Sequence, residues 1–168
     1  NIEIVKLLLS NENVDVNCLC HFEYYKDREY PIKINRTPLS MAVAKNNIEI
    51  TNLLLSNEKI DVNIVSSYFE ILTQNYIYNK MPFHVDKKET ALAIALQKES
   101  IEIIKLLLKK NNIDMNIMSE YEKVKTVMHS STTISANKTY LEIAIEKGNL
   151  EIFNLLLLNN KIDVNLCS

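Results

Sequence analysis

The chain writes the same eleven positions four times: LLLSNENVDVN ending at Asn17, LLLSNEKIDVN at Asn63, LLLKKNNIDMN at Asn116 and LLLLNNKIDVN at Asn165. Self-similarity of this kind constrains the fold more than composition does, because each unit has to be completed by its neighbour. The match continues upstream as NIEIVKLLL (1–9), NIEITNLLL (47–55), SIEIIKLLL (100–108) and NLEIFNLLL (149–157). Three copies also carry an earlier segment: TPLSMAVAKN from Thr37, TALAIALQKE from Thr90 and TYLEIAIEKG from Thr139.

Both segments read as helices. Thr37 is placed as an N-cap, Pro38 takes the first helical position, and Leu39, Ala42 and Val43 fall at i, i+3 and i+4. Ala42, Ala95 and Ala144 mark where another helix approaches closely. The break falls at Asn46, Glu99 and Gly148. Asn46 and Gly148 suit the positive φ of a helix stop, whereas Glu99 is expected to be strained there. With only one glycine in the chain, asparagine is expected to take over the left-handed positions. Each segment is shorter than the ~12–15 residues at which an isolated helix is even marginal in water, so stability has to come from stacking.

The run TPLSMAVAKNNIEITNLLLSNEKIDVN, from Thr37 to Asn63, resembles the ankyrin repeat, with its T-P-L-H, E-I-V, L-L-L and A-D-V-N signature. The resemblance covers three copies and a partial first one. It implies an all-α fold, an α-solenoid of stacked helix pairs with long inserts on the hairpin side that have room for short extra helices or hairpins. The array occupies 1–168 as one domain: a partial repeat at 1–17, full repeats at 36–63, 89–116 and 138–165, and inserts at 18–35, 64–88 and 117–137. Starting inside a repeat, it reads as a fragment of a longer chain, and Ile4, Val5 and Leu8 should have an uncovered flank. The family histidine after T-P-L is replaced by Ser40, Ala93 and Glu142, so its bond between repeats is absent or altered. The turn before D-V-N is one residue longer, with Glu58 and Lys59 in place of a glycine. The recurrent asparagine comes every 46, 53 and 49 residues, against 33 in the family.

Ten of the twelve aromatics lie in the inserts, together with all three histidines, which argues for order there. FEYYKDREYPIKI alternates around a polar turn and reads as a hairpin. In SYFEILTQNYIYN, Ser67 and Glu70 have capping-box spacing ahead of Phe69 and Leu72. SEYEKVKTVM repeats the device with Ser119 and Glu122. Both predict a short extra helix. The aromatics then either pack the inserts together or face outward as anchors for a partner.

Chemistry is sparse. In CLCH, Cys18 and Cys20 are too closely spaced for the usual C-x₂₋₄-C zinc pair, and the other histidines, His84 and His129, belong to neighbouring inserts, so a zinc-stabilised assembly requires that stacking gather them. His129-Ser130-Ser131 lacks an orienting acid and an oxyanion hole, and a single glycine excludes most phosphate loops. The recurring Asp15, Asp61, Asp114 and Asp163 read as structural. So do the threonines of the glycosylation-like NRT and NKT, since they open helices. No catalytic, cofactor-binding or metal-binding residue is assigned. A formal charge of −2 gives no reason to expect nucleic acid or an anionic membrane, and no apolar run approaches ~18 residues. No signal peptide is recognisable at the start. Three cysteines, two of them almost adjacent, suit a reducing, cytoplasmic setting better than a disulfide scaffold.

These features point to a non-catalytic protein–protein interaction module without cofactor or small-molecule substrate. The expected contact residues are the insert tyrosines Tyr24, Tyr25, Tyr30, Tyr68, Tyr76, Tyr78 and Tyr121. To these the resemblance adds Lys45, Lys98 and Lys147 at the first-helix ends and Arg36, Glu89 and Lys138 ahead of each threonine. The lysines also suit the helix C-termini electrostatically. The alternative is a structural spacer or scaffold segment of a larger protein, in which the aromatics are internal packing.

Overall fold

A computed structural model describes residues 2–26, 30–76, 79–127 and 130–166, with the side chains of 26, 72–82 and 125–131 left out. In chain order the elements are α1 (Ile2–Leu9), β1 (Cys20–Lys26), β2 (Tyr30–Arg36), α2 (Pro38–Ala44), α3 (Ile48–Ser56), β3 (Ser66–Tyr76), β4 (Asn79–Glu89), α4 (Ala91–Gln97), α5 (Ile101–Leu108), β5 (Ser119–Val127), β6 (Ser130–Lys138), α6 (Tyr140–Lys147) and α7 (Leu150–Leu157). First helices α2, α4 and α6 stack in one layer, and second helices α1, α3, α5 and α7 stack in another.

The fold is not all-α. All three inserts are β-hairpins, joined edge to edge in a six-stranded antiparallel sheet in the order β1-β2-β3-β4-β5-β6. The extra helices expected at Ser67–Leu72 and from Ser119 are strands instead. The reason is non-local. Each hairpin is rooted at fixed points of its repeat, pairing Cys20 with Arg36, Ser66 with Glu89 and Ser119 with Lys138. Stacking of the helices then sets one hairpin beside the next, where Ile32–Asn35 pairs with Ser67–Glu70 and Phe83–Lys88 with Glu120–Lys125. Two-sided pairing of segments rich in Tyr, Val, Ile and Thr outweighs a local capping signal. Among the described residues, the S/T-x-x-E pattern occurs as a true capping box only at Thr139 and Glu142. There Glu142 N–H donates to Thr139 Oγ1 (3.2 Å) and Thr139 N–H to Glu142 Oε2 (2.7 Å).

The long and unequal periods now have a simple origin. Each arm is seven residues in the first hairpin, eleven in the second and nine in the third. The step from 46 to 53 is two arms each lengthened by four, less one residue between them.

Local signals on the helices behave as the residues dictate. The side chains of Thr37, Thr90 and Thr139 each accept the N–H three residues on, and Asn47 and Asn149 do the same for the second helices. Asn46, Glu99 and Gly148 all sit at positive φ (53°, 55° and 66°), so Glu99 carries the backbone strain expected of it. Asn46 is the only asparagine at positive φ among the described residues. The others serve elsewhere: Asn11, Asn57 and Asn159 close turns by accepting the N–H two residues on.

Three more asparagines tie the repeats together. Asn17, Asn63 and Asn116 each donate Nδ2–H to a carbonyl of the next repeat, Lys59, Asn112 and Lys161, at 2.7, 2.8 and 3.1 Å. Each also accepts the N–H of the next aspartate, Asp61, Asp114 or Asp163, at 2.8 Å. Asp15, Asp61, Asp114 and Asp163 in turn accept the N–H of the asparagine two residues on. The recurrent D-x-N is therefore a ladder of hydrogen bonds along the stack.

The core lies between the helix layers and is densest in the central repeat, where Leu92, Leu96, Ile103, Ile104 and Leu107 are fully buried. Ala42, Ala95 and Ala144 are buried where the first helices meet. The ends are open. Ile4 is 55 % and Leu8 51 % exposed, and α1 contains no buried residue. Ile145 is 63 % exposed, although Leu96 and Val43 at the same repeat position are fully buried.

Candidate protein-binding face

A strand sends alternate side chains to opposite faces, and directly paired residues share a face. The registers therefore define one unbroken row across all six strands: Phe22, Ile34, Tyr68, Lys87, Tyr121 and Ala136. Beside it runs a second row, Tyr24, Ile32, Glu70, Val85, Lys123 and Ile134. Ile32, Ile34 and Val85 are buried on this face, where the sheet turns toward the first helices. The opposite face carries Lys33, Asp86, Lys88, Glu120 and Glu122, with Lys88 paired to Glu120 at 2.7 Å.

Where this face meets α4 and α6, two adjoining cavities form a groove. The larger, of about 400 Å³, is lined by Arg36, Tyr68, Glu89, Lys98 and Tyr121 among others. The smaller, of about 280 Å³, includes Glu89, Tyr121, Lys138 and Lys147. The structure thus brings together seven of the thirteen expected contact residues. Lys45 is exposed at the equivalent end of α2.

The remaining tyrosines part company. Tyr24, 50 % exposed, lies on the groove face. Tyr25, 60 % exposed, lies on the other face, with its hydroxyl 3.4 Å from Glu23. Tyr30 is partly buried at the start of β2. Tyr78 and the side chain of Tyr76 lie outside the described residues. Phe22 and Lys87 were missed by the sequence reading, although a signal existed: Phe22, Tyr68 and Tyr121 each stand five residues after a ladder asparagine.

Cations lie against the aromatic rings. The Arg36 guanidinium is 5.8 Å from the Tyr68 ring centroid, Lys87 is 5.8 Å from that of Tyr121, and Lys123 is 4.5 Å from that of Phe83. Burial pulls the Arg36 pKa below its ordinary value, opposed by the Glu89 carboxylate. Burial, and then the 2.6 Å bond that Tyr68 donates to Glu70, hold the Tyr68 phenol well above its ordinary value, so it remains a neutral donor. Acidic groups here have partners: Gln97 donates to Glu89, and Lys138 pairs with Glu146 at 2.6 Å.

Two buried polar atoms have no protein partner among the described residues, Arg36 Nε and Ser119 Oγ, and their residues line the two cavities. Ser119 is explained by one substitution. Its equivalent, Ser66, bonds Ser40 Oγ at 2.7 Å, but the position of Ser40 is Ala93 in the next repeat. Ser40 thus replaces the family histidine with a different bond between neighbouring units. Ala93→Ser is expected to restore this bond and raise stability by about 0.5–1.5 kcal/mol, measured by urea unfolding. The gain should vanish in a Ser119→Ala background.

Among the described residues, the groups singled out as metal ligands do not converge. Cys18 and Cys20 Sγ are 3.7 Å apart as free thiols, and His21 Nδ1 is engaged with Asn35 Oδ1 at 2.7 Å. His84 packs on Phe69, and His129 lies outside the described residues. Among the described residues, no three His, Cys, Asp or Glu side chains gather closely enough to share an ion. None of the helices described is long and apolar enough to cross a membrane.

Stacked helix pairs linked by hairpins, with a hydrogen-bond ladder running between units, define a repeat protein. The family model of ankyrin repeats in three copies matches residues 65–167, and the model of a single ankyrin repeat matches 35–67. The chain belongs to the ankyrin repeat family. No curated protein matches it. Ankyrin repeats generally serve as protein–protein interaction modules and are typically non-catalytic.

Proposed function

We propose that this chain binds a protein partner through the groove face, using the sheet aromatics together with the ends of the first helices. The carrying observation is the convergence of Arg36, Tyr68, Glu89, Lys98 and Tyr121 around one cavity, drawn from four different elements and the turns beside them. Tyr and Arg are the residues that most often dominate binding hot spots, and here they stand half-buried and pre-positioned. The count and close spacing of the cysteines, Cys18 and Cys20 being one residue apart, support a reducing, intracellular setting.

The spacer reading differs in one measurable respect. Two folded baits are compared in affinity capture: the unaltered chain and one carrying Tyr24→Ser, Tyr68→Ser, Tyr121→Ser and Lys98→Glu, with matched circular dichroism. Partners retained by the first and lost by the second are the expected result. Identical captures would move binding away from this face, and two empty captures would favour the spacer.

A further inference from the structure

We propose that the groove face takes an extended polyproline-II segment bearing a carboxylate at every third residue; this rests on the binding-face reading above. The argument begins with spacing. Tyr68 and Tyr121 occupy one cross-strand row, two strands apart, and Phe22 stands two strands further in the same row. Strands lie about 4.8 Å apart, so this row presents an aromatic ring every ~9.6 Å. A polyproline-II chain rises about 3.1 Å per residue with three residues per turn, returning the same side every ~9.3 Å. The mismatch over three repeats is below about 1 Å. An extended β-strand, which repeats a side every two residues or ~6.7 Å, does not keep step with this row. Aromatic-lined grooves also suit polyproline-II ligands because the ligand loses little conformational entropy on docking.

Charge supplies the second half. Lys45, Lys98 and Lys147 hold the same position in three successive repeats, so they recur with the same period along the stack. All three are exposed, and none has a carboxylate partner among the described residues. Lys98 and Lys147 line the same cavities as Tyr121. Of the acids lining the groove, Glu146 and Glu120 are ion-paired with Lys138 and Lys88, Glu89 interacts electrostatically with Arg36 and accepts from Gln97, and Glu70 accepts from Tyr68. What remains for a ligand is a row of ammonium groups parallel to a row of rings. A segment with the triplet acid-x-x, its intervening residues apolar or proline, satisfies both rows at once.

The test uses a fluorescein-labelled peptide of four Glu-Pro-Pro triplets and a control of identical composition in which the glutamates are no longer three apart. Both are titrated by anisotropy against the full chain at low and physiological salt. The triplet peptide is expected to bind saturably, and the control about tenfold more weakly. Lys98→Glu and Tyr121→Ser should each weaken the triplet peptide by about tenfold, while Tyr121→Phe retains binding. Affinity should fall with salt, since the lysines are exposed. Equal binding of both peptides, indifference to Lys98→Glu, or no saturable binding would overturn the proposal. Panning a random peptide library against the chain, counter-selected on the Lys98→Glu, Tyr121→Ser double variant, separates the two levels. Sequences that need both residues but lack the acidic triplet would remove this partner class and leave the groove reading standing. Sequences indifferent to both residues would remove the two together.

Discussion

Leu107→Ala is expected to lower the unfolding free energy by about 2–5 kcal/mol, and Leu8→Ala, at the equivalent position of α1, by less than about 1. The two leucines come from the same repeat position and end helices of nearly identical sequence, IEIIKLLL and IEIVKLLL. What differs is cover. Leu107 is fully buried between α3 and α7, whereas Leu8 is half-exposed on a helix with no buried residue. Truncating Leu107 opens a cavity lined by a close-packed core that relaxes only in part. In a stack whose stability is a sum of nearest-neighbour terms, a defect in the central repeat weakens coupling on both sides. Urea unfolding followed by circular dichroism should therefore show a lower midpoint for Leu107→Ala, and equal midpoints for both variants would mean the repeats do not share a core.

The second large effect concerns the asparagine ladder. Asn63→Ala removes two hydrogen bonds at once, one donated to Asn112 O and one accepted from Asp114 N–H, both at 2.8 Å. The backbone groups left behind belong to the next repeat, so the loss falls on coupling between units. A cost of about 1–3 kcal/mol follows, because two bonds are lost together and each contributes about 0.5–1.5. Amide exchange distinguishes this from a local effect: protection should fall at Asp114 and its neighbours, some fifty residues away in sequence. No change there would show that Asn63 acts only within its own turn.

Much of the helical framework was legible because its signals are local. Thr37 with Pro38 fixes a helix start, and Asn46 fixes a stop, through torsion angles and one short-range bond each. Strain at Glu99 was readable for the same reason. The hairpins of the second and third inserts were not. Ser67 with Glu70 and Ser119 with Glu122 carry the same spacing that makes a true capping box at Thr139, and only the neighbouring hairpins decide between the readings. Pairing of Ile34 with Tyr68 spans more than thirty residues and is invisible to any local window.

The candidate site divides along the same line. Lysines at the first-helix ends could be named by repeat position. Which tyrosines share a face could not, since that depends on strand register: Tyr24 and Tyr25 are adjacent in sequence and lie on opposite faces. Asn17, Asn63 and Asn116 were recognised as recurrent, but their role as connectors between units emerges only once the repeats are stacked. Ser119 lacks a protein partner among the described residues because of Ala93, one of the three replacements of the family histidine, and that link needed the pairing of Ser66 with Ser40 to be seen.

The most direct measurement places a photo-reactive benzoylphenylalanine at Tyr121, in the groove, and separately at Glu102, an exposed residue of the second-helix layer. Each version is irradiated in lysate of the source organism. A protein crosslinked from position 121, absent from position 102, and competed away by the unmodified chain is the predicted result. Crosslinking from position 102 with none from position 121 would contradict the assignment of the binding face.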